Sequence, residues 1–172
     1  LRNAAGACLD WKLRPSRASR AKSATLSFLK GRSADEMLDV ARAFFRDEYL
    51  PRFYQDGLTE LWSLRSQGMK LVVVSASPDV YMRALPEFMP IDAVLSTRCE
   101  VGGDGRYTGQ VGENCKGEEK VRRIEQYLKE NGFVLDMKCS SAYGDSPSDA
   151  DMMALVNRAV RVKPKKALLR RR

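Results

Sequence analysis

Two aspartates four residues apart, Asp145 and Asp149, stand in the run Tyr143-Gly144-Asp145-Ser146-Pro147-Ser148-Asp149-Ala150, directly after the apolar-leaning residues 139–143. This placement predicts a strand that ends and a helix that begins. Carboxylates gathered at the carboxyl end of a strand are a common way for an open α/β sheet to hold a hard cation such as Mg2+. A plainer pattern fits the same residues: Ser146 as a helix N-cap, Pro147 at the first helical position and Asp149 reaching back from the third. These eight residues are compatible with both readings, so the elements upstream decide what else is available to them.

Residues 70–75 form a continuous apolar run, Leu71 to Val74, that ends at Ser75 and predicts a strand buried on both faces, with Ser77-Pro78 opening the next helix. Further strands are expected at residues 92–96, 140–144 and 159–162, the last two bracketing a helix that contains Met152, Met153 and Leu155. Val121, Ile124 and Leu128 repeat at helical spacing between Gly117 and Gly132, which places Lys116 and Lys120 around the start of an amphipathic helix. Gly102-Gly103-Asp104-Gly105, inside residues 99–111, is a hairpin signature. The alternative, a phosphate-cradling glycine loop, lacks the strand-to-helix frame it needs. Residues 1–50 read as helical, with a capping-box pattern at Ser33-Ala34-Asp35-Glu36, then Met37, Val40, Ala41 and Phe44 in phase, and Pro51 as the stop. A helix over residues 55–67 would turn Leu58, Leu61, Trp62 and Leu64 inward before Gly68 ends it. The expected architecture is α/β: a doubly wound, Rossmann-like parallel sheet over residues 55–172 with a helical cap over residues 1–54.

Composition narrows the chemistry. The chain has 172 residues, 44% hydrophobic, enough for a genuine core in one domain. It has no histidine, and Cys8, Cys99, Cys115 and Cys139 form no Cys-x-x-Cys pair, which excludes a zinc site and any Ser-His-Asp or Cys-His machinery. The cysteines read as reduced thiols of a cytoplasmic protein. The net charge of +8 is concentrated in residues 1–32 and 161–172, leaving an acidic middle. Basic ends can touch anionic lipid or an acidic partner, but aromatic residues are not interleaved with them, which makes nucleic acid an unlikely partner. No apolar run reaches the length of a membrane span.

The ordered set Val-Val-Val-Ser-Ala-Ser-Pro (residues 72–78), Asn-Cys-Lys-Gly-Glu-Glu-Lys (114–120) and Tyr-Gly-Asp-Ser-Pro-Ser-Asp (143–149) resembles the haloacid dehalogenase superfamily of phosphatases, in particular its phosphoserine-phosphatase-like branch with a helical cap. The resemblance runs from about residue 32 onward. It implies attack of an aspartate on phosphorus, an aspartyl-phosphate intermediate and Mg2+ bridging carboxylate and phosphoryl group. It further implies that Asp145 is a Mg2+ ligand, Asp149 its supporting carboxylate, and Ser75, with the neighbouring Ala76, a donor to a phosphoryl oxygen. Lys116 or Lys120 would balance the charge of the transferring group. Taken singly, Ser75 reads more readily as a strand-end residue satisfying backbone, and the two lysines as surface charges on a solvated helix face; the ordered coincidence of the three motifs is what favours the site.

One motif of that family is absent. No apolar strand followed by Asp-x-Asp-Gly-Thr occurs; neither Asp10 nor Asp56 has a buried strand before it. The expectation is a piece whose nucleophile strand lies upstream of Leu1, inactive and poorly stable alone because the middle of the sheet is missing. The alternative is a pseudoenzyme that binds phosphate or a partner without turnover. Trp11, Arg14 and Arg17 in the cap are the candidate specificity residues, with a small phosphorylated metabolite or a phospholipid head group as substrate.

Overall fold

The computed structural model describes residues 22–162. The chain divides into two compact units, Leu1–Cys115 and Lys116–Arg172.

In the first unit, Ser33 caps α1 (Ala34–Phe44), its hydroxyl accepting the Glu36 N–H at 3.4 Å as the capping-box spacing predicts. The helix does not stop cleanly at Pro51. It loosens through a π turn (Phe45–Tyr49) and a 3-10 turn (Leu50–Arg52), because Pro51 has no N–H to return to the preceding turn. α2 (Gln55–Ser66) follows. Three apolar residues expected on inner faces lie outside: Val40 and Trp62 are each 56% exposed and Phe44 is 40% exposed. The covered stripe of α1 runs through Ala34, Ala41 and Phe45, and that of α2 steps by three through Leu58, Leu61 and Leu64. Val40 and Trp62 each fall roughly 100° round the helix from those stripes.

β1 (Val72–Pro78) pairs in parallel with β2 (Ala93–Thr97), in register from Val72 opposite Ala93 to Ser75 opposite Ser96. Asp92 pins the start of this pair. Its carboxylate accepts the Leu71 N–H at 2.8 Å and holds Arg65 at 2.8 Å and Lys70 at 3.2 Å. Every residue of β1 is half-buried, not buried on both faces as its valine run predicts. The reason is sheet width: among the described residues the β1–β2 sheet is two strands wide. α3 (Asp79–Met82) connects the strands, and β3 (Cys99–Val101) with β4 (Tyr107–Val111) forms the antiparallel hairpin expected from the glycine cluster. The apolar core lies here, in one cluster around Phe45, Met82 and Leu85 and another around Leu29, Val80 and Tyr107, with Tyr81 packed against both.

The second unit contains α4 (Glu118–Glu130), β5 (Ser141–Gly144), a 3-10 turn (Pro147–Asp149), α5 (Ala150–Met153) and β6 (Arg158–Arg161). β5 and β6 are parallel, from Ser141 opposite Arg158 to Gly144 opposite Arg161. Among its described residues, the buried side chains are charged: Lys120, Arg123 and Asp149. Two parallel strand pairs, each connected through helical segments, make the chain a Rossmann-like α/β fold. No helix among the described residues is long and apolar enough to cross a membrane.

Candidate functional site

In the first unit, the chemistry gathers where β1 ends. The register slips after Ser75, so that Pro78 is the next residue to meet β2, opposite Thr97. The slip takes the peptide groups of Ala76 and Ser77 out of the regular ladder, and they find other partners. The Ser77 N–H donates to the Ser75 hydroxyl oxygen at 3.1 Å, which leaves the Ser75 proton for an outside acceptor. The Ala76 carbonyl accepts the hydroxyl of Thr97 at 2.8 Å. Thr97 is fully buried and also takes the Cys115 N–H at 3.1 Å. One hydroxyl therefore ties the ends of β1 and β2 to the segment that leads toward Lys116.

In the second unit, four of the expected residues share one small region. Gly117 carries φ 60, a left-handed conformation that favours glycine, and starts α4. Its N–H donates to the Ser148 carbonyl at 3.2 Å, which fixes the start of α4 beside the turn between Asp145 and Asp149. Three residues on, Lys120 donates from Nζ to Asp149 Oδ1 at 2.6 Å, each side chain only 7% exposed. The reading of Lys120 as a solvated surface charge is therefore overturned. An ammonium in the first turn of a helix opposes the helix dipole, and the carboxylate of Asp149 offsets that cost. Lys116 is exposed, as is Asp145 at the end of β5.

Asp149 has a second partner. Its Oδ2 accepts the Ser146 N–H at 2.9 Å, while the Ser146 hydroxyl accepts the Ser148 N–H at 3.2 Å, completing a capping box. The capping pattern and the buried acid are thus one arrangement, and Asp149 does both jobs. Burial pushes its carboxyl up, but the Lys120 ammonium and the Ser146 N–H more than reverse this and hold it below the usual carboxylate range. Gly144 makes room for the arrangement: a Cβ there would stand 2.7 Å from the Asp149 Cβ and 3.0 Å from Met153 Sδ.

One carboxylate here could contribute to a Mg2+ coordination shell. The cation keeps several waters and takes one or two carboxylates, and the exposed Asp145 is available as one. Asp149, with one oxygen on Lys120 and the other on Ser146, is placed to hold that turn and its lysine. No group of three or more acids, cysteines or histidines suited to a metal occurs among the described residues. Trp11, Arg14 and Arg17 lie outside the described residues. Thr97 and Gly144 were not singled out by sequence reasoning; a strand-end threonine and a glycine before an aspartate carry no hydropathy signal.

The class is that of a parallel α/β fold with a serine where β1 loses its register and a lysine–aspartate pair beyond β5. The haloacid dehalogenase-like hydrolase family matches residues 1–154, and the chain belongs to it. Protein CicA of Caulobacter vibrioides is 31% identical over 137 residues, covering 78% of this chain and 59% of that protein. A histidinol-phosphatase of Neisseria meningitidis is 28% identical over 134 residues, covering 77% and 60%. The chain thus spans about three fifths of the length of these relatives. Among solved structures, a protein of unknown function from Bordetella pertussis superposes with a TM-score of 0.77 at 25% identity, over 88% of this chain and 68% of that one. A substrate-bound phosphoserine phosphatase shares the fold, with a TM-score of 0.56 at 22% identity over 85% and 66%. The resemblance to the phosphoserine-phosphatase-like branch holds.

Proposed function

We propose that this chain is part of a Mg2+-dependent phosphomonoester hydrolase that works through an aspartyl-phosphate intermediate. The observation that carries the reading is the Lys120–Asp149 pair beside the turn bearing Asp145. A cation buried against one acid, next to a second, exposed acid at a strand's carboxyl end, suits stabilisation of a transferring phosphoryl group. The residues would divide the work as follows. Ser75 gives its free hydroxyl proton to a phosphoryl oxygen, with the Ala76 peptide beside it. Lys116, exposed at the start of α4, meets the phosphate. Lys120 is held in place by Asp149 and adds fixed positive charge. When bound, Mg2+ would take Asp145 as one ligand and offset charge on the phosphoryl group.

The attacking aspartate would come from elsewhere in the gene product, and the chain alone would be inactive. Residues 1–54 would form the cap and residues 55–172 the core. Relatives of similar identity include a histidinol-phosphatase and a phosphoserine phosphatase, which supports a small phosphorylated metabolite as substrate, chosen by the cap through Trp11, Arg14 and Arg17. A phospholipid head group is the other candidate, met through the basic ends. The setting would be cytoplasmic.

A second reading is a pseudoenzyme that binds phosphate or a partner without turnover. It is favoured by the lack of an Asp-x-Asp-Gly-Thr directly after any apolar strand in the sequence. Hydrolysis of p-nitrophenyl phosphate with Mg2+ by the complete gene product, abolished in Asp145→Asn, supports the enzyme. Absence of turnover by the complete product contradicts it and leaves the binding protein.

A further inference from the structure

The Lys22 side chain reaches across 92 residues of sequence to donate to Asn114 Oδ1 at 2.6 Å. The same ammonium lies 3.3 Å from Thr97 Oγ and donates to the Ala76 carbonyl. An ammonium has three N–H donors, and the acceptors it meets come from three separate segments: the slipped end of β1, the end of β2 and the stretch before Lys116. Thr97 is fully buried and is itself bonded to Ala76 and close to Asn114, at 2.8 and 3.2 Å. The four groups form one network, to which Lys22 brings a positive charge. In the sequence, Lys22 is one of eight basic residues among residues 1–32 and has no distinguishing pattern.

We propose that Lys22 is a positioning residue for the phosphate-binding loop at Ser75–Ser77. The argument rests on the functional reading given above. The register slip after Ser75 leaves the Ala76 peptide without a strand partner. That peptide is planar, so holding its carbonyl oxygen on Lys22 and Thr97 sets the direction of the Ser77 N–H that shares it. The Ser77 N–H in turn meets the Ser75 hydroxyl and orients the group that would donate to phosphate. Lys22 thus couples the segment preceding α1 to the loop that binds the phosphoryl group, and does so without touching the phosphate.

The test compares the wild-type chain with Lys22→Met, which keeps the aliphatic stem and removes the donors, and with Asn114→Ala, which removes one acceptor. Two quantities are read: affinity for inorganic phosphate by calorimetry, and amide hydrogen exchange at Ser77 and Cys115. The proposal expects both variants to exchange at Ser77 and Cys115 about tenfold faster or more, the effect of losing one charge-assisted hydrogen bond. The amides of Val73 and of α4 should keep wild-type rates. Phosphate affinity should fall about tenfold in Lys22→Met, and Lys22→Arg, which retains charge but not the three-way geometry, should recover only part of it. Wild-type exchange at both amides in Lys22→Met overturns the proposal. So does unchanged phosphate affinity in a variant whose exchange is altered. If the wild-type chain binds no phosphate, the functional reading fails separately, and the exchange rates decide whether Lys22 orders the loop.

Discussion

Lys120 and Asp149 form a buried ion pair, Nζ to Oδ1 at 2.6 Å, that joins the first turn of α4 to the turn following β5. In a unit whose buried described side chains are all charged, this pair takes the place an apolar contact holds elsewhere. Breaking it from one side leaves an uncompensated buried charge, whereas removing both charges does not.

Lys120→Met and Asp149→Asn should therefore each cost about 3–5 kcal/mol, and the double variant should cost clearly less than their sum. Urea unfolding followed by circular dichroism measures all three. Additive losses would show that the two side chains act independently.

Gly144→Ala should be disruptive although its backbone is an ordinary strand. The added Cβ would stand 2.7 Å from the Asp149 Cβ, so Asp149 must move off Lys120 or the strand must shift. A loss of about 1–3 kcal/mol is expected for such overpacking. Chemical shifts of Lys120 and Ser146 should change with it. A variant as stable as the wild type, with those shifts unmoved, contradicts the packing described.

Asp92 gives a pH dependence with a definite sign. The Leu71 N–H bond is the largest influence on it; burial opposes this, and Arg65 and Lys70 add to it, so that its carboxyl falls to about 2. Because the folded value lies below the unfolded one, its contribution is complete above the unfolded value and disappears as pH falls through the folded one. The window is roughly pH 4 to 2. Asp92→Asn should be less stable than wild type by on the order of 1–2 kcal/mol at pH 7, and the two should converge near pH 2. A gap that persists there would assign the loss to something other than ionisation.

The two units should differ in local stability. The first has apolar clusters centred on Phe45 and Val80, while no apolar residue is fully buried among the described residues of the second. Amides of β5 and β6 should exchange faster than those of β1 and β2. Equal protection would show that the second unit is held by more than its charge pairs.

Much of this was legible in the sequence. Period and punctuation gave α1, the hairpin around Gly102–Gly105, the strand ending at Gly144 and the start of β1, which runs on past the expected end at Ser75 to Pro78, because capping, turn chemistry and apolar runs are local properties. The capping pattern at Ser146 was legible for the same reason. The burial of Lys120 was not: a lysine at a helix start looks solvated until the acid it meets, 29 residues later, is placed against it. Lys22 was hidden in the same way, since its three acceptors come from segments 54 to 92 residues away. Trp62 and Val40 misled because each lies within reach of an apolar stripe in sequence but off its centre in space.

The proposed function requires that the start of α4 and the turn after β5, joined by the Lys120–Asp149 pair, meet one phosphate. The most direct measurement is a titration of the 15N-labelled chain with inorganic phosphate in the presence of Mg2+, following amide shifts. The expected result is that Gly117–Lys120 and Gly144–Ser146 shift together with one midpoint, and that Asp145→Asn weakens the response of both segments. Shifts confined to one segment, separate midpoints or no response at all would contradict it.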